Sequence, residues 1–242
     1  VIQRSGFAVS RATLNGGGTL SLSSLTADFQ TAFTLGTLNV TSSTVGFATN
    51  LSTGVLALNL SSATINGPGT ITTPVGQTLT LRSSTIGATS GLDNQGTVVV
   101  NGGSAVNGPL TTASGSTLRM QPDGTTGFAT LTVANGFTNA GAIELTSTVS
   151  GYASALTVTA GTLTNAAGGT ITTLVGTGGP RTLTAPLDNQ GLVTVNQALT
   201  LNGASADHTN SGTIAVNQNF TISQSGTSPS FANDGIFDIA AT

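Results

Sequence analysis

The stretch Leu187-Asp188-Asn189-Gln190-Gly191-Leu192-Val193-Thr194-Val195-Asn196-Gln197-Ala198-Leu199-Thr200-Leu201 is answered, 21 positions on, by His208-Thr209-Asn210-Ser211-Gly212-Thr213-Ile214-Ala215-Val216-Asn217-Gln218-Asn219-Phe220-Thr221-Ile222. The shared unit is an apolar residue, a polar one, Asn, then Gly and a short strand-like run. It recurs on Asn94, Asn139, Asn165, Asn189, Asn210 and Asn233, with successive gaps of 45, 26, 24, 21 and 23. The first gap is about two periods, and a degenerate copy at 110–118 fills it, keeping Gly115 but not the Asn. Upstream a different phrase repeats, Leu38-Asn39-Val40-Thr41-Ser42-Ser43-Thr44-Val45, with copies at 58–65 and 79–86 and a weaker one at 20–24.

Within each unit apolar and polar residues alternate over four or five positions, the period of a strand, and nothing follows the i, i+3, i+4 spacing of a helix. Short alternating strands separated by Gly, Asn and Ser at a fixed period describe one coil of a solenoid per repeat. The expectation is therefore an all-β chain forming a single parallel β-helix (β-solenoid). It should have about 11 coils of roughly 20–24 residues, right-handed by the usual sense of parallel crossovers. At ~4.8 Å per coil the rod is on the order of 50 Å long. Residues 1–242 are read as one continuous solenoid whose repeat style changes near 90, with Ser-Ser coils over 1–90 and Asn-x-Gly coils over 91–242.

Composition fits this reading. Thr (46), Gly (33), Ser (25) and Asn (18) make up half of the 242 residues, and the only charged side chains are eight acids and five arginines. In a solenoid each side chain stacks on its equivalent in the next coil. Like charges ~4.8 Å apart repel by ~1 kcal/mol even at the dielectric of water. Neutral Asn, Thr and Ser stack without that penalty and can bond to one another. Asn followed closely by Gly is also expected to supply left-handed turn geometry.

Several function classes fall away. The net charge of −3, with scattered arginines and no lysine, offers no basic stripe for nucleic acid. Without Cys there are no disulfides, thiolate nucleophiles or sulfur-ligated metals. No apolar run approaches the length of a membrane-spanning helix, and the single Tyr and nine Phe do not furnish the aromatic girdles of a membrane barrel. Beginning at Val1 without Met or leader, the chain is expected to be a processed product or an excised fragment.

The residues that could carry chemistry have plainer readings. His208 occupies, by register, the apolar column of Leu92, Phe137, Leu163, Leu187 and Phe231, so it reads as a ring filling a slot. Glu144 and Asp238 share an outward column about four coils apart, and Asp93 and Asp188 sit in identical turns at a similar separation. Neither pair can act together as acid and base. No calcium nonapeptide, EF-hand, phosphate loop or Gly-x-Ser-x-Gly elbow occurs. The expectation is no enzyme, no metal and no cofactor, with Asn94, Asn139, Asn165, Asn189, Asn210 and Asn233 as a structural turn ladder. An outward file of Thr132, Thr157, Thr184, Thr200 and Thr221 is a candidate surface, similar to the flat threonine arrays of ice-binding solenoids.

At Leu92-Asp93-Asn94-Gln95-Gly96-Thr97-Val98 and Leu187-Asp188-Asn189-Gln190-Gly191-Leu192-Val193, followed by Leu199-Thr200-Leu201, the sequence resembles the haemagglutinin repeats of bacterial two-partner-secreted exoproteins of the filamentous haemagglutinin type, and more loosely autotransporter passenger domains. The resemblance covers roughly residues 90–240. It implies an exported rod at the bacterial cell surface, a structural or adhesive segment. Its partners would be neighbouring coils of the same parent chain or other copies of itself, and host or matrix glycans, with no nucleic acid and no membrane insertion. Both ends look uncapped, so end-to-end assembly into a filament is a further expectation. An ice-binding solenoid and a glycan-binding or glycan-cleaving β-helix are the alternatives.

Overall fold

The structure is a computed structural model, and it describes residues 7–9 and 14–240. Every element among these residues is a strand, and every pairing between strands is parallel. The chain winds round three faces in the order A, B, C and then returns to A one coil further along. Face A runs from Thr19–Ser23 to Ile236–Ile239, face B from Phe7–Val9 to Phe220–Ser225, and face C from Leu51–Ser52 to Ser230–Asn233. Ten successive pairings join eleven strands on face A, which makes the chain a β-solenoid of about 11 coils. The pairings pass residue 90 without a break, Leu79 opposite Val98 on face A and Ile71 opposite Leu92 on face C.

Coil length varies more than the repeats suggest. The shortest steps occur where Leu20 pairs with Leu38, Leu92 with Leu110 and Arg181 with Leu199, and the longest lie in the middle, where Leu118 pairs with Ile143 and Ile143 with Ile171. The extra residues of the long coils protrude between faces A and B as three stacked loops, 121–128, 146–153 and 174–180. Face B strands resume in register beyond them. The inserted residues thus enlarge one corner and leave the ladders intact.

The two repeat phrases mark two different corners of the same coil. Ser-Ser stands at the A-to-B corner, where Ser24, Ser42, Ser62 and Ser83 take φ of 55°, 47°, 51° and 48°. The chain must turn sharply there, and the N–H of each left-handed Ser donates to a carbonyl of the next coil. The second Ser points inward. Ser84 Oγ accepts the Ala63 N–H of the preceding coil at 3.1 Å and donates to Arg82 O at 2.7 Å, and Ser43 does the same for Leu25 and Thr41. A buried hydroxyl with both roles filled avoids the cost of desolvation.

Asn-x-Gly stands at the C-to-A corner, and the expected left-handed turn is met at Gly168 of the Asn165 copy (φ 90°) and at Gly115 (φ 79°) but corrected in the other copies. Gly96, Gly141, Gly191, Gly212 and Gly235 do not have positive φ. They are glycine because coils approach too closely for a side chain: a Cβ at Gly212 would collide with the Gly191 carbonyl, and one at Gly235 with the Gly212 carbonyl. At these five positions the constraint is clearance between backbones, whereas at Gly115 and Gly168, where a Cβ would meet nothing within 4 Å, it is turn handedness.

Inward files of aliphatic residues fill the interior, for example Leu79, Val98, Leu118, Ile143, Ile171 and Val193 on face A, each almost fully buried. Rings occupy the two ends. Before face C begins, Phe29, Phe33 and Phe47 pack together with centroids 4.7–6.0 Å apart. In the last coil Phe220, Phe231 and Phe237 cluster at 6.1 Å, partly exposed, and Ile236 and Ile239 are 60% and 68% exposed.

Replacing Gly212 by Ala should cost about 1–3 kcal/mol of stability, because the backbone of one coil has to move off its neighbour. Gly17→Ala, where a Cβ meets nothing within 4 Å, should stay within about 0.5 kcal/mol of the parent. Urea unfolding of the two variants measures both.

Candidate functional site

The most ordered polar constellation is internal. Thr73, Asn94, Thr112, Asn139, Asn165, Asn189, Asn210 and Asn233 form one inward file at the edge of face C. From Asn139 onward the amides bond along the rod axis. Asn139 Nδ2 donates to Asn165 Oδ1 (2.9 Å), Asn165 to Asn189 (2.8 Å), Asn189 to Asn210 (2.6 Å) and Asn210 to Asn233 (2.6 Å). Each amide also donates to the first face A carbonyl of the next coil, Asn139 to Thr170 O, Asn165 to Leu192 O, Asn189 to Thr213 O and Asn210 to Ile236 O. One side chain therefore ties its coil to the next at two points, inside the protein, where such bonds are strengthened and costly to leave unmade.

Asn94 lies in the file but outside the amide chain. Its Nδ2 reaches Thr117 O at 2.9 Å, while its Oδ1 and the Thr73 hydroxyl below it are buried without partners. The next position is Thr112, too short to reach back, and its hydroxyl bonds upward to Asn139 Oδ1 at 3.1 Å instead. The chain of amides begins where consecutive coils carry Asn.

Charged groups also work along the axis. Asp93 accepts Thr111 Oγ1 of the next coil (2.7 Å) and Gln95 Nε2 of its own turn (2.6 Å). Asp188 repeats the arrangement with Thr209 and Gln190 at 2.8 and 2.7 Å, and Asp207 accepts Ser230 Oγ at 2.6 Å. Glu144 and Asp238 share a face A file four coils apart. Glu144 pairs with Arg119 directly below it. Arg82 reaches Asp123 of a protruding loop at 2.6 Å. Burial would raise the Asp123 pKa, but the Thr126 amide, the Arg82 guanidinium, the Thr126 hydroxyl and the Thr125 amide together hold it below its ordinary value. Among the described residues no three His, Asp or Glu side chains converge in a way that could hold a metal ion.

His208 stands in the file Phe137, Leu163, Leu187, Phe231 and is 1% exposed. Its Nδ1 accepts the Leu187 N–H at 3.1 Å, which places the ring proton on Nε2. Burial pushes its pKa below 6.5 against the opposing charge of Asp207.

The threonine file divides. Thr132, Thr157 and Thr184 are register partners on face B, but Thr184 is followed by Asn202 and then Ser223. Thr200 and Thr221 continue the parallel file of Thr130, Ala155 and Thr182. The strand Arg181–Thr184 carries two outward threonines, and strand periodicity alone does not choose between them. The outward Ser21, Asn39, Asn59, Thr80 and Arg119, which the alternation also allows as earlier members of this file, belong to face A instead.

That face A column lines a shallow trough of about 680 Å³ crossing four coils. Ser21, Asn39 and Asn59 form its floor, linked by Asn39 Nδ2 to Ser21 Oγ (3.0 Å) and Asn59 Nδ2 to Asn39 Oδ1 (2.8 Å), with Thr41, Ser61 and Arg82 beside them. Its groups are hydroxyls and amides, with one guanidinium already engaged by Asp123. They can exchange hydrogen bonds with an uncharged polar ligand, and no His, Asp or Glu of the lining stands beside the hydroxyls to activate one. The Arg82–Asp123 contact is illegible in the sequence, because its acid comes from an inserted loop two coils on.

Asn165→Ala should lose about 3 kcal/mol, since it removes the donor to the buried Asn189 Oδ1 and to the Leu192 carbonyl, at ~1–3 kcal/mol per unsatisfied group. Asn165→Thr, the residue found at position 112, should lose less. Lowering the pH should reveal His208: the unfolded chain takes up a proton below about 6.5 while the buried ring resists it, so stability present above that pH declines as pH falls toward the depressed folded value. In His208→Leu that part of the pH dependence should vanish, as read from denaturation midpoints between pH 7.5 and 4.5. No family model, curated protein or solved structure matches the chain, so its function is read from this geometry and from the repeats.

Proposed function

We propose that the chain is a structural and adhesive segment of a large extracellular bacterial surface protein, and that its adhesive contact is with host or matrix glycans along face A. The observation that carries the reading is the trough over Ser21, Asn39, Asn59 and Thr80. A glycan is rich in hydroxyls, and the trough offers donors and acceptors of the same kind, repeated at the coil spacing of ~4.8 Å. Each contact is weak on its own. Repetition along a rigid rod raises the strength of the whole through effective concentration. The haemagglutinin-like repeats support the exported, cell-surface setting, and the uncharged axial files suit a rod whose length serves to hold binding parts outward.

A second reading within the same structural role is end-to-end joining with other copies, because a parallel coil exposes unpaired backbone groups along the axis wherever no neighbouring coil covers it.

Binding to an immobilised panel of neutral and acidic oligosaccharides should detect a ligand, and the double variant Asn39→Leu, Asn59→Leu should lose it while keeping the parent's unfolding midpoint within a few degrees. Binding unaffected by those substitutions would remove the trough from the account. Electron microscopy over a concentration series should show rods near ~50 Å at low concentration and multiples of that length as concentration rises. Rods of one length throughout would leave an unassembled spacer.

A further inference from the structure

Arg181 is 1% exposed and is the largest fully buried side chain among the described residues. It occupies an inward file on face B, with Ser154 in the coil below and Leu199 in the coil above. Its Nη1 donates to Gly178 O and Gly179 O, 2.9 Å each, in the last of the three protruding loops. Its Nε and Nη2 have no partner. Those two nitrogens form the side edge of the guanidinium, where two parallel N–H groups point the same way and grip an anion bidentately.

Among the described residues no acidic side chain answers this charge. The two ion pairs there are Arg82–Asp123 and Arg119–Glu144. The neighbouring hydroxyls donate to carbonyls, Ser154 Oγ to Met120 O at 2.8 Å and Thr177 Oγ1 to Ser147 O and Ser150 O, and neither accepts from the guanidinium edge. A buried Lys or His would shed its proton to escape such a site, but a guanidinium keeps its charge. An uncompensated interior charge is among the costliest arrangements a fold can contain.

We propose that the Nε/Nη2 edge of Arg181 holds a small monovalent anion inside the solenoid, under the loops 146–153 and 174–180. A guest in the same coil layer as Arg181, between the layers of Ser154 and Leu199, has at most the ~4.8 Å thickness of one coil. That selects a spherical halide or a flat anion such as formate, and excludes tetrahedral phosphate and sulfate. The anion completes the interior as a structural ion, fixing the guanidinium that holds the Gly178–Gly179 turn.

The test begins with protein exchanged into sodium gluconate, whose anion is too large to enter, followed by titration with bromide or formate at constant ionic strength. The unfolding temperature of the parent should rise saturably with either anion and not with sulfate. Arg181→Met, which keeps the length of the side chain in an apolar file, should show no such rise. Crystals of the parent grown with bromide should give an anomalous peak within hydrogen-bonding distance of Nε and Nη2. An equal anion response in Arg181→Met, or ordered water at that edge in the bromide crystals, overturns the proposal. Should Arg181→Met not fold, the bromide crystals of the parent decide alone.

Discussion

Everything in this protein depends on bonding along the axis. A single coil has no core of its own, and its backbone groups point up and down the rod to the coils on either side. Ordering the chain costs ~1–2 kcal/mol per residue in backbone entropy, which one coil's apolar side chains do not recover unaided. The neighbouring coils supply the missing hydrogen bonds and complete the aliphatic files, so each coil is stable only as part of the stack. The Asn file reinforces this from within, adding two side-chain bonds per step at the C-to-A corner.

The same geometry governs the surface. Because each position faces its own equivalent one layer away, several charges are placed where the next layers answer them: Arg119 under Glu144, Arg82 against Asp123, Asp93 and Asp188 under threonine hydroxyls. Elsewhere the files are largely Thr, Ser and Asn. Amide pairs recur on the outside as well, Asn59 on Asn39 and Asn217 on Asn196, both at 2.8 Å. What makes the stack self-consistent also leaves a polar, sparsely charged surface, and the trough on face A is one place where that surface becomes concave.

The period and the strand alternation are legible in the repeats, as are the column of His208 and the shared file of Glu144 and Asp238, because these follow from a spacing that each coil keeps. The phase between the two halves is not. Leu-x-Val-Thr-Ser-Ser and Leu-Thr-Leu look alike as alternating strands, yet one lies on face A and the other on face B, and only the pairing register separates them. The role of Gly212 is hidden for a related reason: sequence reports that a side chain is missing but not that a carbonyl of another coil occupies its place. Arg181 gives a divided signal: strand alternation puts it on the same inward face as Leu183, while its charge reads as a surface residue, and the structure follows the alternation.

If the coils stabilise one another through continuous axial bonding, the rod should unfold as a unit despite the change of repeat style near residue 90. Differential scanning calorimetry on the whole chain measures this most directly. The account predicts a single transition whose calorimetric and van't Hoff enthalpies agree. Two separate transitions, with Asn165→Ala shifting only one of them, would show that the halves are independent and would contradict it.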